Sequence, residues 1–252
     1  MTFLRAICLP AGKILVLLGL LLLGACAAAP PDTRPDEKST RLGTSWGEGL
    51  ESNVSTVSLR RKSDTALSVQ TLHYSAARGD GEVLREVQAA DGRVGLRVLR
   101  ENGTAWPIYR RDGVERLQGR SGERYTLQYR NYSRTRTYEI VATVDGLDVL
   151  SGRPGSLGNR GYVLRPGAIF QIKGFRKSSS EVAAFRFASV DDSYAANSAA
   201  GSRSNTGVIG TAVFELTAPA PSGQPRCGEA PCAFPENGDG PGSGYAPPPS
   251  YR

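Results

Sequence analysis

Short runs of alternating apolar and polar residues, cut by turn dipeptides, fill the middle of this 252-residue chain. Val94, Leu96 and Val98 alternate with Gly95, Arg97 and Leu99, and Tyr125, Leu127 and Tyr129 alternate with Thr126, Gln128 and Arg130. Tyr138, Ile140, Ala142 and Val144 do the same against Glu139, Val141 and Thr143, and residues 67–74 alternate in part. Successive side chains of a strand point to opposite faces, so such runs place one face on a core and the other toward solvent. Asp91-Gly92, Asn102-Gly103, Asp112-Gly113, Asp145-Gly146 and Pro166-Gly167 supply the turns between them. Further strands are expected at 161–165, 169–175, 183–188 and 208–216. No stretch after Cys26 carries an apolar repeat of helical period. The pattern predicts an all-β fold, an antiparallel β-sandwich or partly open barrel, over residues 42–216. Two subdomains, 42–113 and 114–216, are one possible division. Short helical turns are expected around 181–184 or 193–200, where serine and alanine tolerate either state.

The N-terminal segment has a different character. Arg5 and Lys13 precede the apolar run of residues 14–23, and small residues follow. That is the layout of a secretory signal. Leu23-Gly24-Ala25-Cys26 resembles the lipobox of bacterial lipoproteins, which implies removal of residues 1–25 and lipidation of Cys26. A transmembrane helix fits less well: residues 14–29 number sixteen and include Gly19 and Gly24, whereas a span needs about 20 apolar residues. The residue after Cys26 is Ala27 rather than Asp. By the same resemblance this points to the bacterial outer membrane, at its periplasmic face or the cell surface. Residues 26–41 read as a flexible spacer between lipid and domain, so the first partner expected is the membrane, through the N-terminal lipid and its multiple chains.

Charge and cysteines narrow the function classes. Loss of Arg5 and Lys13 with the signal takes the net charge from +7 to +5. A surplus of that size suits weak attraction to an anionic envelope polymer or lipid headgroups. Cys8 leaves with the signal and Cys26 is expected to carry lipid, which leaves Cys227 and Cys232. Export permits disulfides, and a local bond between these two is expected. Zinc would need further ligands, and His73 is the single histidine of the chain. The sequence selects no metal and no cofactor. Residues 217–252 alternate proline with glycine and read as a disordered tail.

Several motifs carry potential chemistry. Gly43-Thr44-Ser45-Trp46-Gly47 matches the nucleophile-elbow pattern, but that pattern needs a strand before it, a helix after it and a histidine partner. Asp145 and Asp148 invite a calcium reading, yet calcium takes six to eight oxygens from several acidic groups. Gly174-Phe175-Arg176 is expected to bury Phe175 and to fix a loop through Arg176. The most suggestive stretch is residues 124–138, where arginine and tyrosine interleave. Arg130, Arg134 and Arg136, with Tyr129 and Tyr132, are the candidate ligand-binding residues, since such pairs grip phosphates and stack on rings. Export makes an acidic glycan or lipopolysaccharide the relevant polyanion and sets nucleic acid aside. The competing reading is a solvated strand face, with tyrosine as a strand former and arginine as a solubiliser.

The second half of the chain also carries a family resemblance. Residues 144–154 (VDGLDVLSGRP) are followed by Arg160-Gly161-Tyr162-Val163-Leu164 and Gly174-Phe175-Arg176-Lys177-Ser178. Residues 181–187 (EVAAFRF), Ser193-Tyr194-Ala195-Ala196 and residues 207–214 (GVIGTAVF) complete the set. The chain resembles a family of bacterial envelope lipoproteins that share this motif order, over residues 42–216. The resemblance implies an exported, lipid-anchored domain and supplies no catalytic residue or ligand. The expected role is non-enzymatic scaffolding or interaction in the envelope, with an anionic envelope polymer or an envelope protein as partner. The alternative is a binding module for an anionic glycan or lipopolysaccharide, and a hydrolase ranks last.

Overall fold

The computed structural model describes residues 40–57, 59–217, 231–233 and 244–251. Strands run in chain order as β1 (Gly43–Glu51), β2 (Ser55–Thr56), β3 (Ser68–Ser75), β4 (Glu82–Leu84), β5 (Val87–Ala89) and β6 (Val94–Arg100). Then come β7 (Ile108–Arg111), β8 (Val114–Gln118), β9 (Arg124–Asn131), β10 (Tyr138–Val144), β11 (Leu147–Asp148) and β12 (Tyr162–Leu164). The last are β13 (Ile169–Ile172), β14 (Gly174–Arg176), β15 (Glu181–Ala188), β16 (Val208–Glu215) and β17 (Cys232–Ala233).

These strands form two sheets packed face to face, without closing into a barrel. One sheet has the order β1-β15-β9-β6-β5, with β13 on β9 and β14 on β15. The other has the order β2-β17-β12-β10-β16-β3-β8-β7-β4, with β11 on β10. Pairing is antiparallel except at β3–β8 and β2–β17, which are parallel. The sandwich is thus mixed at two places. Both sheets draw strands from each side of residue 113, and the described domain lies in one unit, Asp36–Arg252. The division into 42–113 and 114–216 does not exist, because β3 is hydrogen-bonded to both β8 and β16.

The alternating residues behave as their period requires. Val94, Leu96 and Val98 of β6 and Tyr125, Leu127 and Tyr129 of β9 point inward. Tyr138, Ile140, Ala142 and Val144 of β10 meet them from the other sheet. At about 25 cal/mol per Å2 of apolar surface, this interface is the main drive to fold. The turn glycines Gly92, Gly103, Gly113, Gly146 and Gly167 all have positive φ. At Asp112-Gly113 and Asp145-Gly146 both residues do, the backbone of a two-residue hairpin turn. The outer face of β10 is covered too. Val141 packs with Ala212 and Phe214, and the Arg61 guanidinium lies 3.6 Å over the Phe214 ring. Arg61 also donates to the buried Glu139 carboxylate at 2.6 Å.

Three expectations need correction. Residues 181–184 are strand, not helix, because β15 is the inner strand that joins β1 to β9. Residues 193–200 form turns, and the single short helix among the described residues is a 3-10 turn at Arg203–Asn205. The tail is not uniformly free. Cys232–Ala233 pairs with β12 and β2, and Ala246 is buried against the core. Cys232 is disulfide-bonded; Cys227, like Cys26 and the expected signal segment at residues 1–25, lies outside the described residues.

Candidate functional site: a basic cleft beside a buried carboxylate

The Asp145-Gly146 turn joins β10 to β11 and points the Asp145 side chain into the sandwich. Four donors converge on that carboxylate. The Thr44 amide lies at 2.7 Å from Oδ2, and the Tyr74 hydroxyl and the Gly207 amide lie at 2.6 and 2.8 Å from Oδ1. The Val208 amide stands farther off, at 3.5 Å. Burial pushes the Asp145 carboxyl up to about 6, against the pull of these bonds. Desolvation likewise raises Tyr74 and Tyr125 well above the usual phenol range, so both stay protonated. The proton order follows. Tyr74 spends its single proton on Asp145, so it accepts from Thr44 Oγ1 at 2.7 Å, and Thr44 accepts from the Tyr125 hydroxyl at 2.6 Å. This chain of hydroxyls ties β1, β3, β9 and the start of β16 to one turn.

That knot shapes a hollow on the outer face of the larger sheet. In the sheet register His73 of β3 lies between Val208 of β16 and Arg116 of β8. Direct register partners share a face, so the imidazole and the guanidinium stand side by side in solvent. Arg41 closes the hollow where the chain enters the domain. Its guanidinium donates to the Arg203 carbonyl and to Thr206 Oγ1, both at 3.3 Å. The cleft encloses about 290 Å3, and no carboxylate-bearing residue lines it. Among the described residues, no carboxylate pairs with Arg41, His73 or Arg116. A neighbouring hollow of about 690 Å3 shares Arg41 and Leu42 but includes Asp191, which pairs with Arg203 at 2.6 Å. The smaller cleft is the one with unbalanced positive charge. Its geometry suits a group with several acceptor oxygens, such as a phosphate, sulfate or carboxylate.

The residues of the arginine–tyrosine stretch do not all share one face. Tyr129 is fully buried and its hydroxyl bonds Thr211 Oγ1 of the opposite sheet at 2.7 Å. Period-2 alternation sends Tyr129 and Arg130 to opposite faces, so they cannot hold one ligand together. Arg130 is exposed and lies 4.9 Å from the Tyr132 ring. The Tyr132 hydroxyl donates to Glu86 at 2.8 Å, and Glu86 also pairs with Arg97. Arg136 pairs with Glu215 at 2.9 Å, a carboxylate it shares with Lys62. Arg134 is exposed on the turn after β9. Asn131 builds that turn, donating to the carbonyls of Arg136, Leu164 and Arg165. Of the three arginines Arg136 is balanced by a carboxylate, whereas among the described residues no carboxylate pairs with Arg130 or Arg134.

The remaining motifs are structural. Ser45 sits within β1 and its hydroxyl donates to the Arg186 carbonyl, so no strand-to-helix elbow forms there. Asp148 Oδ1 accepts from the amides of Leu150 and Ser151 and from the Ser151 hydroxyl. Arg176 is buried and donates to the Ser52 and Ser178 carbonyls and to the Tyr162 hydroxyl. Arg41, His73 and Arg116 were missed because they lie far apart in sequence and are joined only by strand pairing. The one available signal was weak: His73 and Arg116 each occupy an outward position in an alternating run.

Comparison with protein-family models, curated proteins and solved structures gave no match.

Proposed function

We propose that this chain is a cell-envelope β-domain, lipid-anchored at Cys26, that works by binding rather than by catalysis. The ligand is an anionic group of an envelope glycan or of lipopolysaccharide, held at the Arg41–His73–Arg116 cleft. One observation carries this reading: three nitrogen-bearing side chains from separate segments converge on a hollow with no carboxylate on its walls. The lipobox resemblance and the envelope-lipoprotein motif order support the location. About fifteen residues separate Cys26 from Arg41, so a lipid on Cys26 would tether Arg41 within about 50 Å of it.

Purified lipopolysaccharide titrated into the protein tests the ligand. Arg41→Ala with Arg116→Ala is expected to weaken binding at least ten-fold, with the loss shrinking as salt rises, because exposed charges are screened beyond about 8–10 Å. Arg130→Ala with Arg134→Ala is expected to bind as the wild type does. If the two double variants behave alike, the cleft is not the site. Anchoring is tested separately: Cys26→Ser is expected to abolish incorporation of labelled palmitate.

A further inference from the structure

Strand pairing sets one row of side chains across the outer face of the larger sheet. Val83 of β4 is the register partner of Tyr109 of β7, and Tyr109 of Arg116 of β8. Arg116 in turn partners His73 of β3, and His73 partners Val208 of β16. Direct partners share a face, so Tyr109 and Arg116 project side by side, with Tyr109 one strand outward from the basic cleft. Neighbouring strands lie about 4.8 Å apart. That is close to the width of a six-membered sugar ring. A ring seated on Tyr109 can therefore carry an acidic substituent that reaches Arg116 and His73.

The tyrosine is placed for contact and not for the core. Ile108 before it is fully buried, whereas Tyr109 is half-buried. The main chain at Gly79 lies against the phenol ring, and a Cβ there would collide with Cδ2 and Cε2. Glycine alone fits that position, and its backbone holds the ring in place. Val83, 64% exposed, extends the apolar part of the row to the sheet edge. The charges of β7 itself are taken: Arg110 pairs with Glu115 at 2.5 Å, and Arg111 pairs with Asp80. The unbalanced positive charge of the row therefore sits at Arg116, beside His73. This fixes the direction of a bound ligand, with its acid toward β3 and its ring toward β4.

We infer that Tyr109 is a sugar-stacking residue, and that the ligand of the cleft is an acidic sugar with its phosphate or carboxylate joined directly to the ring. The inference rests on the anion-binding reading of the Arg41–His73–Arg116 cleft and adds the part of the ligand that the cleft does not hold. A sugar turns a face of C–H bonds to an aromatic ring and keeps its hydroxyls at the rim, in water. Stacking thus gains apolar contact and strands no polar group. A bare anion gains nothing from Tyr109, and a neutral sugar gains nothing from Arg116.

The full-length protein is titrated with inorganic phosphate, glucose 1-phosphate, glucuronate and glucose. At least one of the two acidic sugars is expected to bind about ten-fold more tightly than inorganic phosphate and than glucose, and which one does so tells phosphate from carboxylate. Tyr109→Leu keeps apolar bulk against Gly79 without a flat ring. It is expected to bring that acidic sugar down to the affinity of inorganic phosphate while leaving phosphate binding unchanged. Tyr109→Phe keeps the ring and is expected to bind as the wild type does. Equal binding of phosphate and both acidic sugars overturns the inference and leaves the anion site standing, as does a preference that survives Tyr109→Leu. Binding of none of the acids overturns both. Should Tyr109→Leu unfold, the wild type decides: magnetisation transfer from the Tyr109 ring to the sugar C–H protons is expected, and its absence overturns the inference.

Discussion

Asp145 combines two demands in one residue. It holds positive φ in its hairpin turn, which aspartate tolerates better than most side chains, and it accepts the donors that join β1, β3 and β16. Its pH behaviour has a definite sign. The folded value of about 6 lies above the ordinary 3.8, so between these values the folded state holds more protons than the unfolded one. The contribution to stability is therefore greatest below about pH 4, falls as pH rises to about 6 and is flat above that. The span is roughly 3 kcal/mol at 1.36 kcal/mol per unit. The exposed Glu48 and the half-buried Glu215, held low by Arg186 and Lys62, act in the opposite sense and at lower pH. Thermal melts at pH 4 and pH 7 of the wild type and Asp145→Asn separate the two, and the difference between proteins is expected to shrink as pH rises. Tyr129 offers a simpler test. Tyr129→Phe strands the buried Thr211 hydroxyl and is expected to cost about 1–2 kcal/mol in urea denaturation. Tyr132→Phe, at an exposed ring, is expected to stay within about 0.5 kcal/mol.

Strands with clean alternation were legible in order and nearly in length. β6, β9, β10 and β16 fall where the periodicity puts them, and each turn glycine lies where an Asp-Gly, Asn-Gly or Pro-Gly pair stands. β1 was not legible as a strand. Gly43, Gly47 and Gly49 interrupt any alternation of apolar and polar residues, and its register shifts between Trp46 and Gly49 against β15. Nor were the short strands β4 and β5, which have too few residues to show a period. The tail was misread for a related reason. Proline and glycine do exclude regular structure, but residues 244–251 dock through backbone amides and one alanine, features with no pattern of their own. Deletion from residue 218 onward is therefore expected to lower the melting temperature by roughly 4–8 °C, for a loss of about 2 kcal/mol. Differential scanning calorimetry of the full and shortened chains measures it, and an unchanged midpoint would mean that β17 and the docked segment contribute nothing.

For the whole molecule, the decisive feature is that both sheets are woven from both halves of the chain. β6 pairs with β9, β3 with β8 and β16, and β1 with β15, so the two halves cannot bury their apolar faces apart. Residues 40–113 and 114–217 made as separate fragments are each expected to be unfolded by circular dichroism, whereas the intact chain is expected to unfold in one cooperative transition. The local sequence determined the fold class and the turn positions, because period-2 alternation and positive-φ turns are properties of neighbouring residues. It also carries Leu23-Gly24-Ala25-Cys26, a run contiguous in the chain whose likeness to a lipobox needs no tertiary structure to read. Which faces meet, and hence which side chains stand together, was decided only in three dimensions. Tyr129 faces the core and Arg130 faces solvent, whereas Arg41, His73 and Arg116, separated by up to 75 positions, share one hollow. Pairing between distant strands sets those neighbours. A register shift of one residue would exchange them for others, and the single sequence carries no local signal for that choice.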